Sequence, residues 1–358
     1  MPVPAAVGFA VAAAANTESG KRVMKQLEEL PLLATRHASD AAIHHGSQLS
    51  RTLRKWYARL SAAQLRGMIL VAASAFTFSL LSTLIKYASK SMPSMETVFW
   101  RSFVAWLLNL VAVRISGVSL YVEEPYRVAL ATRCVIGCCA MSLGFYAMQQ
   151  MVLADASVLI FTSPVMTFFL GSIVLNEKID AINFGCALFS FVGVICVARP
   201  TFIFGEDHST ADTDGSTFAI FCALLGAAAQ SVVYVSMRRL QQVNYLVVIN
   251  YFLLTSSVLS ALSLLSIQQT FVLEMTWDVW LAVLGTGFLG FVGQLFLTRG
   301  FQLESAGTAS VMRYLDVVFV FIWDVTLLRE RVNLWSAVGA LVICGSAIAI
   351  AVRKMQGH

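Results

Sequence analysis

The sequence predicts an all-α integral membrane protein with ten transmembrane helices, arranged as two inverted repeats of five helices. Three observations support this fold class: the composition, the spacing of long apolar stretches and an internal duplication. Hydrophobic residues make up 58% of the 358-residue chain and charged residues 13%, whereas soluble domains carry roughly 25% charged residues. Apolar stretches of about 17–23 residues, the length that crosses a bilayer, recur from Gly67 to Arg353.

Residues 1–66 precede the first span and are predicted to form a basic cytosolic tail without regular structure. This segment holds nine lysines and arginines and four acidic residues. Its apolar start is not preceded by the basic residue that a secretory signal requires. The basic stretch around Trp56 and Tyr57 fits a contact with anionic lipid headgroups. A transit peptide is the alternative interpretation.

Five apolar stretches predict the first half of the protein, which we assign to residues 67–199. Their approximate bounds are 67–86, 97–114, 128–148, 154–175 and 180–198. Arg101 lies inside the second span, where it either binds substrate or extends to the membrane interface. Pro164 lies in the middle of the fourth span. Because proline removes a backbone donor and clashes with the preceding turn, we expect a helix break there, in this half alone.

A polar connector, residues 200–215, carries four acidic residues and separates the first half from the second, residues 216–354. The connector is predicted to lie on the non-cytosolic side. The approximate spans of the second half are 216–237, 246–267, 278–298, 306–328 and 333–352.

Residues 285–290 match the nucleotide motif GxGxxG but lie within an apolar span, not between a strand and a helix. We therefore expect these glycines to allow close helix packing.

Residues 154–182 and 307–335 are rough copies of each other. Glu177 and Glu330 close the two copies and are 153 positions apart, the same offset that relates the other matching residues. Each copy is a long apolar run that ends in an acidic residue followed by a basic one. Membrane proteins built from two such halves are most often transporters.

The distribution of lysine and arginine predicts the orientation of the chain, because cytosolic loops carry the excess of these residues. With ten alternating spans and a cytosolic N-terminus, the cytosolic side receives the basic tail and Arg114, Arg127, Arg133, Lys178, Arg238, Arg239, Arg299, Arg353 and Lys354. Both termini are therefore placed in the cytosol. Since each half has an odd number of spans, the halves insert in opposite orientations, with Glu177 at the cytosolic face and Glu330 at the other.

The ninth span contains Arg313 and Asp316, which lie three residues apart on one helical face. A charge inside the membrane costs about 2.5–3.5 kcal/mol or more, so its presence there usually has a structural or functional reason. One interpretation is that the two side chains neutralise each other structurally. The other is that Arg313 binds an anionic substrate group while Asp316 binds a proton or tunes the arginine, with Tyr314 adding a hydrogen bond. Six uncharged polar residues either line a polar cavity or bridge helices: Gln149, Gln150, Gln230, Asn250, Gln294 and Gln302.

Several short segments together resemble the EamA repeat of the drug/metabolite transporter superfamily, most closely the G branch of solute carrier family 35. They are Phe99-Trp100-Arg101, Ser163-Pro164, Asn176-Glu177-Lys178-Ile179, Arg313-Tyr314-Leu315-Asp316 and Arg329-Glu330-Arg331. The resemblance covers residues 65–354 and implies ten helices around a central cavity with alternating access. The family's terminal glycine–glutamate appears here as Asn176-Glu177 and Arg329-Glu330. Both copies therefore lack the glycine that ends the family's helix in a tight turn.

These observations predict a secondary transporter for a small polar or anionic metabolite in the plasma membrane or an endomembrane. Arg101 and Arg313 favour a carboxylate or zwitterion, such as an organic acid or amino acid. A nucleotide-sugar-type carrier and a non-transporting membrane scaffold are the alternatives. The sequence has neither an ATP-binding P-loop nor the GxGD and GxSG sequences of intramembrane aspartyl proteases, so we do not expect an enzyme.

The expected partners are a small-molecule substrate and the lipid bilayer, without nucleic acid, and a homodimer is left open. The seven cysteines form no CxxC pair, so neither a metal nor another cofactor is expected.

Overall fold

A computed structural model describes residues 65–85, 94–151, 153–200, 203, 216–268, 277–326 and 334–355. The predicted tail, apart from its last two residues, lies outside the described residues, as do most of the connector 200–215 and Glu330. All regular elements within these ranges are helices.

Twelve helices in the described ranges make up ten segments that are long and apolar enough to cross a membrane. They are α1 Leu65–Ile85, α2 Ser94–Ser116, α3 Glu124–Gln150, α4 Leu153–Ile160, α5 Ser163–Leu175, α6 Ala181–Ala198, α7 Ser216–Arg239, α8 Tyr245–Ser263, α9 Trp277–Leu303, α10 Ala306–Val311, α11 Leu315–Thr326 and α12 Leu334–Met355. The fourth segment consists of α4 and α5, and the ninth of α10 and α11. The prediction of ten spans is therefore confirmed.

Large apolar side chains cover the outer surface of the bundle. Ile173 is 76% exposed, Leu341 72% and Phe189 68%. A soluble protein rarely leaves contiguous apolar patches larger than a few hundred Å². Contact with lipid accounts for these side chains, because hydrocarbon tails solvate them as well as a protein core does.

Helix α5, in the first copy, ends in a tight turn at Asn176. Asn176 follows α5 with a φ of 53°, the left-handed conformation that glycine or asparagine adopts at a helix C-terminus. The backbone N–H of the next residue, Glu177, donates to the carbonyl oxygen of Gly171 at 3.4 Å. The helix therefore ends sharply without the family's glycine, and the chain turns so that Glu177 follows directly.

Both the fourth and the ninth segments are interrupted near their middle. Pro164 lies in the first turn of α5, just after the break between α4 and α5. In the ninth segment a 3₁₀ turn, Met312–Tyr314, separates α10 from α11. The expectation of a break in the first half alone is therefore wrong.

The second break lies where α10 packs on α5. The hydroxyl of Ser310 donates to the carbonyl oxygen of Gly307 in its own helix at 2.7 Å, and lies 3.3 Å from the carbonyl oxygen of Pro164. Serine hydroxyls that bond back to their own helix bend it. A Cβ on Gly307 would lie 2.6 Å from the Phe168 ring, so α10 packs tightly on α5. The two interrupted segments thus lie against each other.

Glycines allow close helix contacts elsewhere in the bundle as well. On α9, a Cβ on Gly287 would collide with Val104 of α2, and one on Gly293 would lie 2.9 Å from the Phe78 ring of α1. Gly339 of α12 lies directly on the backbone of Gly193 in α6. The glycines of the GxGxxG match therefore serve helix packing.

Replacing Gly339 by alanine is expected to destabilise the protein by about 1–3 kcal/mol, the usual cost of overpacking. The added methyl group would collide with the Gly193 carbonyl oxygen and lie 2.9 Å from Cys196 Cβ. Thermal unfolding of the detergent-solubilised protein measures the effect. Gly345→Ala, on the same helix with no neighbouring atom within 4 Å of the new Cβ, is the matched control. Equal stability of the two variants would contradict the packing.

Candidate functional site

Arg313 and Asp316 form an ion pair at the interruption of the ninth segment. Arg313 Nη2 lies 3.1 Å from Asp316 Oδ2, and the two side chains are 13% and 16% exposed. The guanidinium carbon lies 5.1 Å from the centroid of the Phe78 ring. In the described part of the chain, Nε and Nη1 of Arg313 and Oδ1 of Asp316 are buried without a hydrogen-bond partner. The pair thus leaves two donors and one acceptor unsatisfied.

Two buried tyrosines lie beside this pair. Tyr314 is fully buried, and its hydroxyl group forms no hydrogen bond with the described residues. Tyr234 of α7 is 5% exposed, and its ring stacks on Phe301 with centroids 4.4 Å apart. The Tyr234 hydroxyl lies close enough to Arg133, Arg313 and Tyr314 to interact electrostatically with each. Tyr234 is therefore a shared neighbour of two arginines on different helices.

Arg133 is a buried arginine that the sequence interpretation assigned to the cytosolic loops. It is 2% exposed, and its Nη2 donates to Gln294 Oε1 at 3.2 Å. Its guanidinium carbon lies 3.8 Å from the centroid of the Phe252 ring. The assignment was wrong because α3 begins at Glu124, which places Arg133 about 13 Å inside the helix at 1.5 Å per residue.

Arg101 packs between α9 and α3. A Cβ on Gly290 would touch Arg101 Cγ at 3.5 Å, and Arg101 Nη2 lies 3.5 Å from Met141 Sδ. Both contacts are inside the bundle. The missing side chain of Gly290 provides the space in which the arginine stem lies.

One turn of α9, residues 290–294, joins the surroundings of all three arginines. The contacts pair, in chain order, Gly290 with Arg101, Gly293 with Phe78 and Gln294 with Arg133. Phe78 is in turn the ring beside the Arg313 guanidinium. Residues 290–294 of α9 therefore border the surroundings of three interior arginines, of which Arg101 lies farther along the bundle than the other two.

A second polar cluster lies at the end of the bundle where α5, α7 and α9 terminate. Glu177 Oε1 accepts from Arg238 Nε at 3.1 Å, and Oε2 accepts from the backbone N–H of Ala306 at 3.0 Å. Arg238 Nη1 also donates to the Gln302 carbonyl oxygen at 2.7 Å. Glu177 of the first copy thus binds two helices of the second half.

Two more ion pairs complete this polar end. Glu304 is fully buried, and its Oε1 accepts from Lys354 Nζ at 3.1 Å. Asp180 forms an ion pair with Arg353. A cleft of about 310 Å³ between these groups is lined by Phe168, Glu177, Lys178, Ile179, Asp180, Asn183, Arg238, Ser305, Gly307, Thr308 and Lys354.

The remaining sequence-predicted residues lie apart from Arg101, Arg133 and Arg313 or outside the described part of the chain. Gln302 Nε2 donates to the carbonyl oxygens of Leu240 and Val243, both at 2.9 Å, and so holds the turn between α7 and α8. Gln149 lies in α3, but its side chain is outside the described part, as is Glu330.

Sequence reasoning missed Arg133 and Tyr234, and it named Gln294 only among residues that either line a polar cavity or bridge helices. Arg133 falls inside the predicted third span, 128–148, and this position was the available signal against a loop. Pro125 is a second signal, since proline favours the first turn of a helix and α3 indeed has proline there. Tyr234 carries no comparable signal, because its role depends on neighbouring helices.

Comparisons with known proteins agree with this architecture. The sequence profile of the EamA-like transporter family matches residues 65–199 and 217–352. Human solute carrier family 35 member G1 is 31% identical over 293 residues, which cover 80% of this chain and 79% of the human protein. The pseudopaline exporter CntI of Pseudomonas aeruginosa is 30% identical over 288 residues, 80% of this chain and 96% of the exporter. A solved crystal structure with 18% identity has a TM-score of 0.69 and covers 82% of this chain and 98% of its own, so the fold is shared.

Proposed function

The chain belongs to the EamA-like transporter family, and from this premise we propose that it is a secondary transporter for a small anionic metabolite. The proposed substrate is an organic acid or an amino acid, moved by alternating access. Both termini are placed in the cytosol on the charge distribution. The pseudopaline exporter among its relatives makes efflux one of the directions to test.

The observation that carries the proposal is the group of arginines around residues 290–294. Among the described residues, Arg313 forms an ion pair with Asp316, whereas Arg101 and Arg133 form none with a carboxylate. Arginine is the preferred partner of carboxylates, because its planar donors match both oxygens. An anionic ligand would supply the negative charge that this part of the bundle lacks. The unsatisfied Asp316 Oδ1 would accept from the ammonium group of an amino acid.

Transport assays with purified protein in liposomes test this function. Labelled organic acids, amino acids and nucleotide sugars are offered under imposed proton and substrate gradients. We expect accumulation of at least one carboxylate-containing class above protein-free liposomes. If nucleotide sugars alone move, the substrate assignment is wrong, and if no class moves under any gradient, the scaffold interpretation replaces transport.

The Glu177–Arg238 contact supports alternating access, because it joins the two halves at one end of the bundle and must break when that end opens. Glu177→Gln removes this ion pair, whose two side chains are about one-fifth exposed, 22% and 21%. A loss of about 1 kcal/mol would raise the open population roughly fivefold. We expect a matching increase in the alkylation rate of a cysteine introduced by Thr308→Cys, since Thr308 is 3% exposed and lines the cleft.

Glu124→Gln is the control for this experiment. Glu124 pairs with Arg127 at the exposed start of α3, where its side chain is 83% exposed, so its loss should leave alkylation unchanged. An unchanged rate in Glu177→Gln as well would mean that the Glu177 contact does not close the cleft.

A further inference from the structure

We propose that Arg133 is a second anion-binding group of the same site, so that the transported ligand carries two anionic groups, held between Arg133 and Arg313. This inference rests on the proposed function and narrows the substrate class to dicarboxylates. Arg133 lies outside the short segments through which the sequence resembles the EamA repeat.

The surroundings of Arg133 leave its charge without an anionic counterpart among the described residues. Gln294 accepts one hydrogen bond, and the face of Phe252 lies against the guanidinium group. Both partners are uncharged, and Nε is buried without a hydrogen-bond partner in the described part. Fully buried arginines in proteins are normally paired with carboxylates. A site 2% exposed that lacks this pairing is suited to an anion that arrives and leaves.

Arg133 and Arg313 lie at the same depth of the bundle. Arg133 is nine residues into α3, and Arg313 is seven residues past the start of α10. At 1.5 Å per residue these positions are about 13 Å and 11 Å from the same end of the bundle. Arg101 contacts Met141, eight residues farther along α3 than Arg133, and is thus about 12 Å from that level.

Helix α9 connects the surroundings of the two arginines. Gly293 lies against Phe78, the ring beside the Arg313 guanidinium group, and the next residue, Gln294, contacts Arg133. The Tyr234 hydroxyl group interacts electrostatically with both guanidinium groups. A ligand with a carboxylate at each end would satisfy both arginines and receive a hydrogen bond from the tyrosine. A ligand with one carboxylate leaves one arginine unmatched.

Succinate and its monoamide, succinamate, are the probes that test this inference, because they have the same length and differ in one anionic group. Charge-assisted hydrogen bonds contribute about 1.5–3 kcal/mol, so we expect wild-type protein in liposomes to prefer succinate by roughly 10- to 100-fold. Arg133→Gln should abolish most of this preference by lowering succinate uptake several-fold more than succinamate uptake. Arg133→Lys keeps the charge and should retain part of the preference.

Gln294→Glu provides a second variant of unchanged size, in case Arg133→Gln does not fold. It places a carboxylate beside Arg133 and should likewise lower succinate uptake selectively. Equal uptake of both probes by the wild-type protein, or equal losses of both in the variants, would overturn the inference and leave the proposed function standing. If no carboxylate of any class is transported, the proposed function fails and the inference with it.

Discussion

Replacing Arg313 by alanine is expected to lower the transport of the anionic substrate by about 10- to 100-fold. The guanidinium group would contribute charge-assisted hydrogen bonds to the ligand, each about 1.5–3 kcal/mol, through the Nε and Nη1 donors that are unsatisfied in the described structure. Its removal also leaves Asp316 buried without its cation, which further disfavours an anion nearby. Initial uptake rates in liposomes at equal protein density measure the loss.

Arg127→Ala is the matched control, since Arg127 also pairs with an acid three residues away but is 52% exposed at the start of α3. It should transport normally. The double variant Arg313→Gln/Asp316→Asn separates the two interpretations of the pair. If the charges serve mutual neutralisation alone, the neutral pair restores transport. If Arg313 binds substrate, the double variant folds but remains inactive. Normal transport by Arg313→Ala would exclude Arg313 from the site.

Replacing Lys354 by methionine is expected to destabilise the protein by about 3–5 kcal/mol, the cost of leaving a buried charge unpaired. Glu304 is fully buried, and Lys354 Nζ lies 3.1 Å from its Oε1. The backbone N–H of Ser305, 2.8 Å from the same oxygen, would remain as a partner but carries no full charge. A lowered midpoint of thermal unfolding in detergent measures this effect.

The double variant Glu304→Gln/Lys354→Met tests the cause, because an amide keeps the hydrogen bond to Ser305 without a buried charge. It should recover most of the lost stability. If Lys354→Met alone unfolds at the wild-type temperature, the ion pair does not stabilise the fold. A double variant as unstable as Lys354→Met would instead assign the effect to lost packing of the lysine stem.

The transmembrane architecture followed from the sequence because bilayer thickness dictates the length of each apolar stretch. The ten spans, their repetition and the family resemblance are confirmed. The errors concern places where a charge lies deep inside a helix. Arg133 lies inside the predicted third span but was counted with the cytosolic charges when the orientation was assigned. The break in the ninth segment carries no proline and lies where α10 packs against α5.

The interior site was less predictable for a physical reason. A membrane helix is apolar on the side that faces lipid and also on the side that packs against its neighbours, so periodicity does not reveal its inner face. Arg313 and Asp316 could be proposed because charges within spans are rare. Tyr234 became a candidate only through the structure, which also selected Gln294 from the six uncharged polar residues by its contact with Arg133. Their contacts depend on helix arrangement, which one sequence does not specify.

The carboxylate of Glu177 ends the first copy and accepts the backbone N–H of Ala306, where the ninth segment starts in the second half. A helix start needs a partner for its free N–H groups, and here that partner is supplied across the duplication. Each half is therefore incomplete by itself: expressed alone, the second half would lack this acceptor.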